Sequence, residues 1–173
     1  KISYFEQWET PWTAAAIKWF WEKVSWDFLL LNWDSIFDYS DLEKISTLNS
    51  YWALVKEVAD PSKYWVFKQN SESLATEIIE KPQEFVWNLA SLWVYKFNDK
   101  IFEYVEKISI SPRWELEITD AINLFVKEFP FHLIKIEKEF IDVWYPWDIL
   151  KANSHFLNKL TKTSIEWEVE EWV

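Results

Sequence analysis

Short apolar runs alternate along the chain with segments of helical period, and turn-forming residues stand between them. Residues 27–32 (Asp-Phe-Leu-Leu-Leu-Asn) form a continuous apolar run, the pattern of a strand buried on both faces. Ser40 and Glu43 have the spacing of a capping box, which predicts a helix running through Leu48. Strands are expected over 51–58 and 65–68, with Asp60-Pro61 turning between them, and again over 74–80 and 92–97. Asn98 is placed to cap a helix through Glu106, and Thr119-Asp120 to open one over 121–128. Residues 131–137 alternate as a strand does, and Pro146 suits the first turn of a helix that runs towards Leu160. Strands alternating with helices imply an α/β fold, a mixed or mostly parallel sheet with helices packed around it.

The spacing is ordinary, but the punctuation is not. A chain of 173 residues would carry roughly 12 glycines at average usage, yet this one has none, and it has 15 tryptophans. Many of these tryptophans have turn-forming neighbours: Asn32-Trp33-Asp34, Pro11-Trp12-Thr13, Lys63-Tyr64-Trp65 and Pro112-Arg113-Trp114. Such contexts call for a residue that tolerates positive φ, which is glycine rather than a bulky aromatic. Most of these positions therefore read as glycine sites occupied by tryptophan. Trp147 is the exception, since it starts a helix after Pro146 with no turn to make.

Composition narrows the function. The length suits one domain with a sizeable core, and 50% hydrophobic with 27% charged residues is a globular balance. The longest uninterrupted aliphatic and aromatic run, 28–31, is far short of the ~20 residues that span a bilayer. No basic and apolar leader opens the chain, which starts at Lys1 without an initiator methionine. A net charge of −11 argues against nucleic acid and against an anionic membrane surface. A nucleotide is still admissible where a metal ion and a few local cations offset its phosphates. The absence of cysteine excludes disulfides and thiolate metal sites, and a cytoplasmic setting is the plain default. His132 and His155 have no companion at metal-ligand spacing.

Seven strings then fall in a recognisable order. Gln7 followed by Trp12-Thr13-Ala14 and Ala16 resembles Gln-x4-Gly-Thr-Ala-x-Ala, and Leu31-Asn32-Trp33-Asp34 resembles Leu-x-Gly-Asp. Tyr64-Trp65-Val66 matches Tyr-Gly-Val, and Glu80-Lys81-Pro82 matches Glu-Lys-Pro unchanged. The segment from Asn88 through Trp93, Tyr95 and Phe97 resembles an Asn-x-Gly-x-Tyr-x-Phe strand. Arg113 to Asp120 resembles Arg-Gly-Glu-x-Glu-x-Thr-Asp, and Asp142-Val143-Trp144 resembles a late Asp-x-Gly. Together they resemble the catalytic domain of the sugar-1-phosphate nucleotidylyltransferases, above all the archaeal type that joins a glucose-1-phosphate thymidylyltransferase-like domain to a left-handed β-helix.

That resemblance implies a Rossmann-like nucleotidyltransferase three-layer sandwich over residues 1–160, lacking the family's amino-terminal third. Residues 161–173 would be a linker and the first turn of the β-helix, through which the chain would form a homo-oligomer; an acidic edge strand accounts for 165–173 equally well. The implied reaction joins a sugar 1-phosphate, of glucose or N-acetylglucosamine, to dTTP or UTP with release of pyrophosphate. Asp34 and Asp142 match the family's two Mg²⁺ ligands, and a hard cation of this kind commonly takes only one or two carboxylates. Lys81 matches the residue on the sugar phosphate, and with the two aspartates makes up the implied catalytic set. Gln7, Trp12 and Thr13 match the positions that read the base, and Trp65, Glu80 and Asn88 further sugar contacts.

Two departures cut against activity. The Gly-rich loop that holds the triphosphate is missing with the amino-terminal third, and Trp12, Trp33 and Trp65 carry rings where base and sugar need room. Three readings stay open: a metal-dependent enzyme, a non-catalytic scaffold of the kind found among translation-initiation exchange-factor subunits, and a recoded or engineered polypeptide without activity.

Overall fold

A computed structural model describes residues 13–18, 24–111, 114–136, 138 and 140–160. The segment with Gln7 and Trp12, and the expected β-helix start, lie outside the described residues. In chain order the elements are α1 (Thr13–Lys18), β1 (Phe28–Leu31), β2 (Ser35–Ile36), α2 (Tyr39–Ser46), β3 (Tyr51–Glu57), β4 (Trp65–Gln69), β5 (Ala75–Glu80), β6 (Leu89–Phe97), α3 (Lys100–Val105), α4 (Ile118–Phe125), β7 (Phe131–Lys135), β8 (Ile141–Asp142) and α5 (Asp148–Lys159). A short 3-10 turn, Pro61–Lys63, leads into β4.

Six strands form one sheet in the order β5-β4-β6-β3-β7, with β1 on the remaining stretch of β6. β3 and β7 run parallel, while the other pairs are antiparallel, so the sheet is mixed but not mostly parallel. Strand alternation sends the residues of β3 to two cores. Ala53 and Val55 face one with Phe67, Tyr95, Phe97 and Phe131, and Trp52 and Leu54 face the other with Leu92 and Val94. Helices α1, α3 and α4 close the first core, and Leu42 and Ile45 of α2 cover the second. The expected three layers are therefore present, with the sheet in the middle. Trp52, fully buried, is a tryptophan that belongs to the core.

Several local expectations shift. β1 was expected to be buried on both faces, but its residues are only half-buried or exposed, because among the described strands it pairs with β6 alone. The capping box at Ser40 gives way to Asp38, whose carboxylate accepts the Ser40 amide at 3.1 Å and starts α2 earlier. Asp60 repeats this device with Ser62 at the 3-10 turn. Asn98 does cap α3, accepting the Lys100 amide at 3.1 Å. α4 opens at Ile118, before Thr119, because the Thr13 hydroxyl accepts the Ile118 N–H at 3.3 Å. Its residues Ile118, Ala121, Ile122 and Phe125 then make one buried stripe at helical spacing.

Of the turn tryptophans, Trp114 adopts φ 64, as its setting requires. Trp33 and Trp65 do not have positive φ: Trp33 sits 96% exposed in a turn, and Trp65 lies in the extended backbone of β4. Trp93 supplies the second left-handed tryptophan, at φ 57 in the middle of β6. There the register jumps from Ala53 opposite Tyr95 to Val55 opposite Ser91, so Leu54 alone faces three residues of β6. This is a bulge with two extra residues on β6, and it re-aims the strand. A buried hydrogen bond of 2.7 Å between the Ser91 and Tyr95 hydroxyls closes over it.

Candidate active site

The bulge sits where the edge of β6 changes partners. The ladder to β4 ends at Ala90, and the ladder to β1 begins at Val94. β1 and β4 therefore run end to end along β6, and a cavity of about 700 Å³ opens over the join. Its floor is Ala90 to Trp93. Lys63, Tyr64 and Trp65 with Lys81 also line it, as do Asp142, Trp144, Trp147 and Lys151.

Asp142 reaches this cavity through the short β2–β8 ladder, in which it pairs with Ser35. The same ladder brings Asp34 alongside, and its carbonyl accepts the Val143 N–H at 2.9 Å. Burial pushes the Asp142 carboxyl up to about 6; a hydrogen bond from Trp144 opposes this, and the charges of Asp34 and Asp148 add to it. Asp34 Oδ1 is buried with no hydrogen-bond partner. An orphaned carboxylate oxygen beside a second crowded carboxylate is a cation-shaped deficit. Two hard oxygens suit Mg²⁺, which fills the rest of its shell with water and phosphate. Among the described residues no group of three His, Cys, Asp or Glu assembles, so an all-protein cage is not built there.

Lys81 lies just past β5 at φ 38, with its amide on the Tyr64 carbonyl at 2.8 Å and its ammonium 5.1 Å from the Trp65 ring centre. Glu80, one residue earlier, lines a different hollow of about 400 Å³ beside α4. Glu80 is the last residue of β5, and at Lys81 the backbone leaves the strand at positive φ. Asn88 is half-buried, its carbonyl accepting the Val58 N–H, and it does not line the main cavity. Thr13 is held at α4 instead. The cavity thus gathers Lys81, Trp65 and Asp142, with Asp34 behind; Glu80, Asn88 and Thr13 stand outside it.

Sequence reasoning missed Lys56, Lys63 and Lys151, which bring three more cations to the cavity of an acidic chain. Lys63 is steadied by Asp60 at 3.2 Å and Lys151 by the buried Asp148 at 3.1 Å. Asp148 also accepts the Tyr145 amide at 3.0 Å, and that amide, with Lys151, holds its carboxyl below the usual range. The i,i+3 spacing of Asp148 and Lys151 was the available signal.

The chain is similar to known nucleotidyltransferases in sequence and in fold. The chain is 40% identical over 171 residues to the bifunctional protein GlmU of Methanocaldococcus jannaschii, covering 99% of this chain and 41% of that protein. It is 39% identical over 116 residues to the bifunctional sugar-1-phosphate nucleotidylyltransferase/acetyltransferase of Sulfurisphaera tokodaii, covering 67% of this chain and 29% of that protein. The fold matches a putative glucose-1-phosphate thymidylyltransferase from Bacillus anthracis, solved with sucrose, at TM-score 0.75 and 23% identity over 94% of this chain and 67% of that one. It also matches a UDP-glucose pyrophosphorylase solved with UDP-glucose, at TM-score 0.76 and 20% identity over 91% and 66%. The chain therefore spans about two fifths or less of the length of these two sequence relatives. The family model for nucleotidyl transferases matches residues 1–159, and the chain belongs to that family.

Proposed function

We propose that this chain is part of a sugar-1-phosphate nucleotidylyltransferase, in which a phosphate oxygen of a sugar 1-phosphate attacks the α-phosphorus of dTTP or UTP and pyrophosphate leaves. The sugar is glucose or N-acetylglucosamine. The observation that carries this reading is that Lys81 and Asp142 line one cavity, with the orphaned oxygen of Asp34 beside Asp142.

Asp34 and Asp142 would hold Mg²⁺, which neutralises and aligns phosphate oxygens when bound. Lys81 presents a point charge to the phosphate of the sugar, and Lys63 and Lys151 bring further positive charge to the same cavity. The family resemblance assigns Gln7, Trp12 and Thr13 to the base and Glu80, Asn88 and Trp65 to the sugar, although Glu80, Asn88 and Thr13 stand outside the main cavity. Residues 1–160 would form the nucleotidyltransferase domain, with 161–173 leading to a β-helix that joins protomers. Among the described residues no helix is long and apolar enough to cross a membrane, and we assign the protein to the cytoplasm.

Calorimetric titration with UDP-glucose, with and without Mg²⁺, tests the site directly. Binding should need the metal, and Asp142→Asn should weaken it by about 10- to 100-fold, the range for disturbed metal sites. Equal binding in the presence of a chelator would remove the metal-site reading. Pyrophosphate release from glucose 1-phosphate and UTP or dTTP is then assayed on a polypeptide of the relatives' full length.

One observation favours a second reading, a polypeptide whose site is closed to nucleotide. Trp93 lines the cavity from a backbone at φ 57, where a side chain is sterically unwelcome.

A further inference from the structure

Trp65 and Trp93 stand together at the join between β1 and β4, their ring centres 5.0 Å apart and edge to face. Both line the main cavity, and both also pack against the core beneath α1, α3 and α4. Directly across the β4–β5 ladder from Trp65 is Glu80. Opposed residues in a ladder share a face, yet Glu80 opens onto the smaller hollow while Trp65 and Lys81 line the larger one.

The pair is also poorly satisfied. Trp93 holds a left-handed backbone that only glycine adopts without steric cost. The Trp65 indole nitrogen is buried with no hydrogen-bond partner, a deficit that a ligand oxygen would cure.

We propose that the Trp65–Trp93 pair partitions one ligand site into two, shutting Glu80 off from Lys81 and Asp142. A ligand that spans both parts must displace the Trp93 ring, and the freed Trp65 N–H then donates to one of its oxygens. The ligand class, a nucleoside diphosphate sugar, rests on the function proposed above; the partition itself does not.

Trp93→Gly tests this, with UDP-glucose and free indole as the two probes. Removing the ring should tighten UDP-glucose binding about tenfold, the effect of making a one-in-ten open state permanent. The gain should vanish in the Trp93→Gly/Glu80→Gln double variant. Indole should raise the melting temperature of Trp93→Gly but not of the unaltered chain, because only the variant has a ring-sized vacancy. Trp93→Ala removes the same ring and keeps Trp65 as the donor, so it serves if Trp93→Gly does not fold. If folded variants bind UDP-glucose no better and ignore indole, the partition is overturned and the proposed function stands. If indole enters the variants while UDP-glucose binds to none of the proteins, the partition stands and the proposed function falls.

Discussion

Asn123 holds both backbone groups of Ile78, accepting its N–H at 2.8 Å through Oδ1 and donating to its carbonyl at 2.9 Å through Nδ2. Ile78 lies in β5, the last strand of the sheet, so a side chain of α4 does there what a neighbouring strand would otherwise do. The same contact fixes the strand that delivers Glu80 and Lys81.

Asn123→Ala is expected to cost about 2 kcal/mol, from two part-buried hydrogen bonds at about 1 kcal/mol each. Urea unfolding measures it. A loss below about 0.5 kcal/mol, the ordinary range of surface changes, would mean that water substitutes fully for the amide.

Lys81 is exposed, and its ammonium lies over the Trp65 ring. Lys81→Met should therefore leave stability nearly unchanged. Binding of glucose 1-phosphate should weaken about 10- to 100-fold, the equivalent of one charge-assisted hydrogen bond. Unaltered binding would assign the phosphate to Lys63 or Lys151 instead.

The strands were legible where apolar residues alternate or run together, as in β3 and β4, and the helices where a stripe recurs at 3.6 residues, as in α4. The β2–β8 ladder was not, since two residues per strand carry no period; it surfaced only through the family strings around Asp34 and Asp142. The bulge at Trp93 was hidden for another reason. Its φ is set by register between β3 and β6, which no local pattern encodes, although the tryptophan in a strand context marked the spot. Glu80 and Lys81 looked like one motif in sequence, but they line two different hollows, which the string Glu-Lys-Pro does not encode. Lys56 and Lys63 reach the cavity only because β4 ends against β6 beside β3, a tertiary fact.

Asp38 joins α2 to the distant α5. Its carboxylate accepts from the Ser40 hydroxyl and amide and meets Lys159 at 3.3 Å and Lys138 at 3.7 Å. The Ser40 bonds, then Lys159, hold its carboxyl far below the ordinary 3.8. A depressed native pKa adds stability that is present above the unfolded value and lost as pH falls through the native one. Asp38→Asn keeps a good cap but removes the charge. Its melting temperature should lie below that of the unaltered chain at pH 7, and the gap should narrow on acidification below about pH 4. A gap that does not change with pH would show that the charge contributes nothing.

Trp114 offers a simpler test of the glycine reading than Trp93, because its ring is 79% exposed and lines neither cavity. It closes a tight turn, its N–H on the Ser111 carbonyl at 2.8 Å, with φ 64. Relief of left-handed strain is worth about 1–2 kcal/mol, against about 0.4–1 kcal/mol for the freer unfolded chain of a glycine. Trp114→Gly should therefore stabilise the protein by about 0.5–1 kcal/mol on this balance, which is unusual for deleting the largest side chain. Two left-handed tryptophans among the described residues, in a chain with no glycine at all, lead one step further. They predict that the organism of origin decodes these positions as glycine, so that protein purified from it weighs less than the 21.1 kDa of the chain as written. A mass of 21.1 kDa would instead make the Trp65–Trp93 partition a feature of the protein in the cell.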